Sequence, residues 1–154
     1  MILTTHALVG AAAGRYIHNP ILLTIILIPL HYLLDIFRHG EYLGKKSTFA
    51  DTTWKVMLDL LFGGITILTI AHFSHFDKQT VLYAIFGAFI SMFPDLLTVL
   101  FWKLRWKSLE KIYRFHQFMH KRFADGSKER QWNLRNARND IIFSVIAILL
   151  LALR

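Results

Sequence analysis

The stretch Pro29-Leu30-His31-Tyr32-Leu33-Leu34-Asp35-Ile36-Phe37-Arg38-His39 closes an apolar run that begins at Pro20. His31, Asp35 and His39 are spaced i, i+4, i+8, so one helix places all three within roughly 80° of a single face. Histidine and carboxylate inside so apolar a segment are costly unless they are paired or hold a metal. Polar groups of the same kind recur in other runs: His6, Asp59, Asp95, and the pair His116 and His120. A fold that gathers them explains why such runs carry them at all.

Working outward, the apolar runs set the fold class. The apolar fraction is 55%, above the roughly 45–50% of ordinary soluble domains. Pro20–Phe37, Val56–Phe73 and Val81–Trp102 hold 18, 18 and 22 residues, near the roughly 20 that span hydrocarbon. Ile141–Leu153, with 13 residues, is short for a span and is expected to tilt, thin the bilayer or half insert. Ile2–Ile17 reads as a further helix capped by Thr4 or Thr5. In it His6, Gly10 and Gly14 share one ridge, and the Gly10-x-x-x-Gly14 spacing admits a close neighbour. The expectation is an all-α, polytopic helical membrane protein of four to six helices, one domain over residues 1–154. The competing readings are a soluble helical bundle and, for the first helix, a cleaved signal peptide; no basic residue precedes its apolar core, which argues against the latter.

Charge orients the spans. Of the 18 Lys and Arg residues, 11 lie in Lys103–Asn139 beside only three acids, and Arg38–Lys55 holds four more. The positive-inside rule puts both segments in the cytoplasm and Ser74–Thr80 outside, as expected of a multi-pass chain. Pro94 is expected to end the third span, with Leu96–Trp102 lying along the interface beside Trp102 and Trp106. Trp106–Phe123 mixes Leu109, Ile112, Phe115 and Phe118 with Lys and Arg, as an amphipathic helix at the membrane surface does. Asp125-Gly126-Ser127 breaks it. The Asp51-Thr52-Thr53 stretch is a plausible cap for the second span, and Asp59 can neutralise Lys55.

With that topology, His6, His31, Asp35, His39, Asp59, Asp95, His116 and His120 fall in one layer at the inner interface, whereas His18, His72 and His75 fall at the opposite one. There is no cysteine, so a metal here has only imidazole and carboxylate to bind, a set that suits Zn²⁺, Mn²⁺ or Fe²⁺ better than Ca²⁺. Each residue also has a plain role open to it: His6 in packing, Asp95 as a cap, His39 in a loop, His116 and His120 facing lipid phosphates.

Thr5-His6-Ala7-Leu8-Val9-Gly10, His31-x-x-x-Asp35, Phe93-Pro94-Asp95 and His116-x-x-x-His120 resemble the inner-membrane-associated metal-dependent hydrolase family and, more loosely, the all-helical zinc-dependent phospholipases C. The His-Arg-Gly-x-Thr-His element of that family is missing, with Arg38-His39-Gly40 as a partial echo. The resemblance implies a metal-dependent hydrolase of the inner membrane. Joined to the ligand chemistry, it leads to a phosphoesterase acting on a lipid or lipid-linked phosphate in the cytoplasmic leaflet, or on another small phosphorylated substrate. In it His6, His31, Asp35, Asp59, Asp95, His116 and His120 are the metal ligands, one or two Zn²⁺ or Mn²⁺ ions are the cofactor, and His39 is the catalytic residue. Arg38, Lys121 and Arg122 contact phosphate. Membrane lipid is the expected partner, and nucleic acid is not. The alternatives are a non-catalytic scaffold that binds anionic lipid or a cytosolic partner through its basic segment, and a membrane haem protein using paired imidazoles such as His31 and His116.

Overall fold

In the computed structural model, residues 1–42, 48–121 and 133–153 are described, the side chain of Lys121 excepted. They form six α-helices: α1 (Leu3–Tyr16), α2 (Pro20–Ile36), α3 (Phe49–Phe73), α4 (Lys78–Leu104), α5 (Glu110–Lys121) and α6 (Leu134–Ala152). Two of them, α3 and α4, are long and apolar enough to cross a membrane, and α2 is a shorter apolar helix.

Sequence dictates most of the helix starts. Asn19 caps α2, its Oδ1 accepting from the amides of Ile21 and Leu22 at 3.0 Å, with Pro20 in the first turn. Thr48 caps α3 through its Oγ1 and the Asp51 amide, so the span starts at Phe49 and Asp51 lies inside the first turn. Lys55 pairs with that Asp51 at 2.9 Å, and not with Asp59. Asn133 caps α6 through the Asn136 amide, which takes Asn136–Asp140 into a helix of 19 residues whose first turns are polar, so the apolar run itself stays short. The breaker Asp125-Gly126-Ser127 and Arg122 lie outside the described residues.

Pro94 does not end its helix. α4 runs unbroken from Lys78 to Leu104, Pro94 is buried, and Leu96–Trp102 therefore belongs to the helix and not to an interfacial strip. Proline removes one amide donor and crowds the carbonyl four residues back, but packing against α1 and α2 holds the helix together around it. The chain turns only at Arg105, in the left-handed region (φ 52°). A short 3₁₀ turn (Lys107–Leu109) then leads into α5, which folds back with Tyr113 stacked on Phe101 and Phe115 edge-on to Tyr32. Ile112, Phe115 and Phe118 remain exposed on α5.

The organising element is α1, a small-residue helix buried along most of its length. It packs most closely on α4, where Gly10 meets Gly87 and Gly14 meets Tyr83 and Ala84. A methyl group at Gly10 would lie 2.2 Å from the Gly87 carbonyl oxygen, and one at Gly14 would lie 2.0 Å from that of Tyr83. Those glycines bring two backbones into contact. They also draw His6, one turn ahead of Gly10, against the lower half of α4. Gly63 meets α1 at ordinary contact distance, and Gly64 faces open space.

No side chain of α1 caps its own start: the N-cap is Ile2, and neither Thr4 nor Thr5 does the capping. Carboxylates from two distant helices do. Asp59 of α3 accepts from the amides of Leu3 (2.8 Å) and Thr4 (3.1 Å), and Asp140 of α6 accepts from the Ile2 amide (3.0 Å) and the Thr5 hydroxyl (3.3 Å). Anionic groups suit the positive end of a helix, and here they also fix α1 between α3 and α6.

Candidate metal centre

The C-terminal end of α2, the Pro94 region of α4 and the inner face of α5 meet beside the start of α1. His31, Asp35, Asp95 and His116 offer one ligand atom each, all within 4.8 Å of one another, and Asp35, His39 and His120 do the same. This buried His/Asp group can hold a metal ion. His31, Asp35 and His116 are essentially inaccessible, whereas the Asp95 side chain keeps 22% exposure toward a cleft.

Helical spacing makes the group local as well as tertiary. His31 and Asp35 approach at 3.1 Å (i, i+4), and His116 and His120 bring their Nε2 atoms to 2.9 Å on one face of α5. Asp35 Oδ2 lies 2.9 Å from His116 Nε2, 3.1 Å from His31 Nε2 and 3.3 Å from His120 Nε2. Asp95 Oδ1 lies 3.6 Å from His116 Nε2.

The far side of each ring decides what the near side presents. His31 Nδ1 donates to the Ser91 carbonyl at 2.7 Å. That carbonyl lies in the turn that Pro94 opens, next to the Ile90 carbonyl whose helical donor the proline lacks. His116 Nδ1 pairs at 2.8 Å with the Thr98 hydroxyl, which itself donates to the Pro94 carbonyl. His120 Nδ1 donates to Glu41 at 3.1 Å. His39 Nδ1 donates to the Phe37 carbonyl at 2.7 Å. With every Nδ1 proton spent on oxygen, the Nε2 lone pairs of His31, His116 and His120 converge on one another and on Asp35. Such outer partners fix imidazole tautomers at metal sites.

That arrangement lacks donors. Burial drags the His120 pKa down, but hydrogen bonds to Asp35 and Glu41 outweigh it and lift it to about 9, so a proton resides there until an ion displaces it. Burial, followed by the nearby terminal ammonium, pushes His39 down to about 3 and keeps it neutral. The Met1 ammonium and His6 Nε2 serve Asp35 Oδ1, but one imidazole proton cannot satisfy the three converging Nε2 atoms, Asp35 Oδ2 and Asp95, and the buried Asp95 Oδ2 has no hydrogen-bond partner among the described residues. A cation bound between these atoms resolves the deficit, so the residues fit a metal.

The structure brings together His31, Asp35, His39, Asp95, His116 and His120, with His6 beside them, and leaves Asp59 apart. His6 Nε2 lies 3.1 Å from Asp35 Oδ1, and its ring stacks on His31 with centroids 4.1 Å apart. Asp59 holds the α1 amides and the Tyr42 hydroxyl instead. Arg38 is half-buried at the edge, its carbonyl accepting from Asn139 at 2.6 Å. The Lys121 side chain and Arg122 fall outside the described residues. His18, on the Arg15 carbonyl and against Tyr83, belongs to the opposite end, as do His72 and His75. No family model, curated protein or solved structure matches the chain. The haem alternative meets a geometric obstacle: His31 and His116 stand edge to face with their Nε2 atoms 3.3 Å apart, leaving no slot for a macrocycle between them.

Sequence reading missed Glu41, Thr98, Ser91 and Asp140. Thr98 carries a usable signal, a hydroxyl inside an apolar run one turn after Pro94. Asp140 carries none, because its partners are more than 130 residues away.

The separate role of Asp59 gives a test. Asp59→Ala removes the cap of α1 and the Tyr42 partner, and is expected to destabilise the fold by about 2 kcal/mol while bound metal per folded chain stays near the parent value. Thermal unfolding and elemental analysis of the same sample read the two effects, and loss of metal without loss of stability would place Asp59 among the ligands after all.

Proposed function

We propose that the protein is a membrane-bound, metal-dependent phosphoesterase acting on a lipid or lipid-linked phosphate at the cytoplasmic leaflet of the inner membrane. The observation that carries this reading is the convergence of three oxygen-anchored imidazoles on Asp35 and Asp95. Imidazole with carboxylate favours Zn²⁺ or Mn²⁺. His31, Asp35, Asp95 and His116 form one position, and Asp35, His39 and His120 offer a second that shares a carboxylate. A divalent ion in such a set lowers the pKa of water and offsets phosphate charge.

Around it the chain's own residues divide the work. Ser91, Thr98 and Glu41 orient the rings. His6 braces Asp35. With an ion at the first position alone, His39 Nε2 is free to take a proton from water as the water oxygen bonds to phosphorus, and to return it to the ester oxygen as the P–O bond breaks, giving an alcohol and inorganic phosphate. Arg38, Lys121 and Arg122 supply positive charge for the phosphate, and the basic Lys103–Asn139 segment concentrates anionic headgroups at the surface. The basic asymmetry and two helices long and apolar enough to cross a membrane motivate the membrane placement, and the resemblance of the sequence motifs motivates hydrolysis.

The test is release of phosphate from phosphatidic acid and from polyprenyl phosphate by protein in vesicles, with Zn²⁺, Mn²⁺ and Mg²⁺ supplied in turn. Turnover by the parent chain and its loss in His120→Ala is the expected result. Turnover that survives this substitution, or metal-loaded protein inert on both substrates, would favour the scaffold reading.

A further inference from the structure

The cleft beside the metal centre has an apolar arm that ion binding leaves unexplained. A cavity of about 260 Å³ reaches from Asp95, His116 and His120 to the space between α3 and α4. Val56 and Leu60 wall it on α3, and Phe89, Phe93 and Leu96 on α4. Three of these are substantially exposed, Phe89 at 50%, Leu96 at 42% and Leu60 at 39%, so the arm opens sideways along the helices. From Asp95 to Phe89 is six residues of helix, roughly 9 Å, and from Asp95 to Trp102 is roughly 10 Å in the other direction.

Trp102 closes that other end, and its indole N–H is buried without a hydrogen-bond partner among the described residues. The indole N–H is itself sealed from the cavity, so it is the ring of Trp102 that forms the wall. Polar middle and apolar arm together match an amphiphile in shape and in chemistry.

We propose that this cleft binds an alkyl phosphate with its hydrocarbon chain between α3 and α4, running from Asp95 toward Phe89. The phosphate position rests on the phosphoesterase reading; the chain position rests only on the cavity. Free alkyl phosphate and a phosphate-bearing membrane lipid share this chemistry, and the open side of the arm lets a longer chain continue into the bilayer.

The probe is hexadecyl phosphate with a diazirine at the chain end, photolysed with protein in phosphatidylcholine vesicles, both metal-loaded and chelator-stripped. Labelling is expected at Leu60, Phe89 and Phe93, competed by unlabelled hexadecyl phosphate and not by hexadecanol. Leu60→Trp, and independently Val56→Trp, should cut labelling of Phe89 at least fivefold, leaving Leu68 on the exposed face of α3 and the metal content unchanged. Labelling of Leu60 and Leu68 that falls equally, or resists competition, means annular lipid only and overturns the proposal. Groove labelling that persists in protein without phosphatase activity keeps this proposal and removes the phosphoesterase; phosphatase activity without competed labelling does the reverse.

Discussion

Asp35→Asn protein purified without affinity-tag metal is expected to hold less than about a tenth of the zinc or manganese of the parent chain. Asp35 is the carboxylate common to both ligand groups, and its Oδ2 faces three imidazole nitrogens. Loss of even an outer partner of a metal ligand lowers affinity about 10- to 100-fold, and loss of a shared anionic ligand exceeds that. Asparagine keeps the shape, so the fold is expected to persist. Asp95→Ala should lose metal to a smaller degree, because Asp95 stands farther from the rings and faces the cleft. His72→Ala and His75→Ala, at the other end of the molecule, should leave occupancy intact. Elemental analysis of the four variants decides the matter, and equal occupancy in all of them would make the cluster a set of mutually paired polar groups.

A comparably large loss is expected from a single methyl group far from any charge. Gly10→Ala should lower stability by at least about 3 kcal/mol, since the added carbon meets the Gly87 carbonyl at 2.2 Å and neither backbone can give way cheaply. The same change pushes α1 off α4 and carries His6 away from Asp35, so metal should fall along with melting temperature. Gly64→Ala, on the same pattern of small residues but facing open space, should be neutral or gain about 0.5 kcal/mol from helix propensity. Thermal melts of the two variants side by side are the measurement. Equal melting temperatures would mean that α1 and α4 are not in backbone contact.

The helices were legible because apolar runs and caps are local: Asn19-Pro20, the Gly10-x-x-x-Gly14 ridge and the paired i, i+4 histidines each announce themselves within a turn or two. The depth expected of them in alternating spans gathers the candidate ligands, and the helix ends do bring His31, Asp95 and His116 together. Asp59 shows the limit of that method. It shares the layer, but three α1 groups claim it, the Leu3 and Thr4 amides and the Thr4 hydroxyl, and nothing near Asp59 in sequence predicts them. Pro94 shows another limit. Its local preference is to break α4, and tertiary packing overrides that preference and uses the opened turn to hold His31. Arg122 lies outside the described residues, so the phosphate-contact assignment there stands on sequence alone.

The borrowed caps of α1 make its start a property of the assembled bundle. Asp140 of α6 holds the Ile2 amide and the Thr5 hydroxyl, and Asp59 of α3 holds the Leu3 and Thr4 amides. An isolated α1 lacks these acceptors, so its first turn frays until α3 and α6 pack against it.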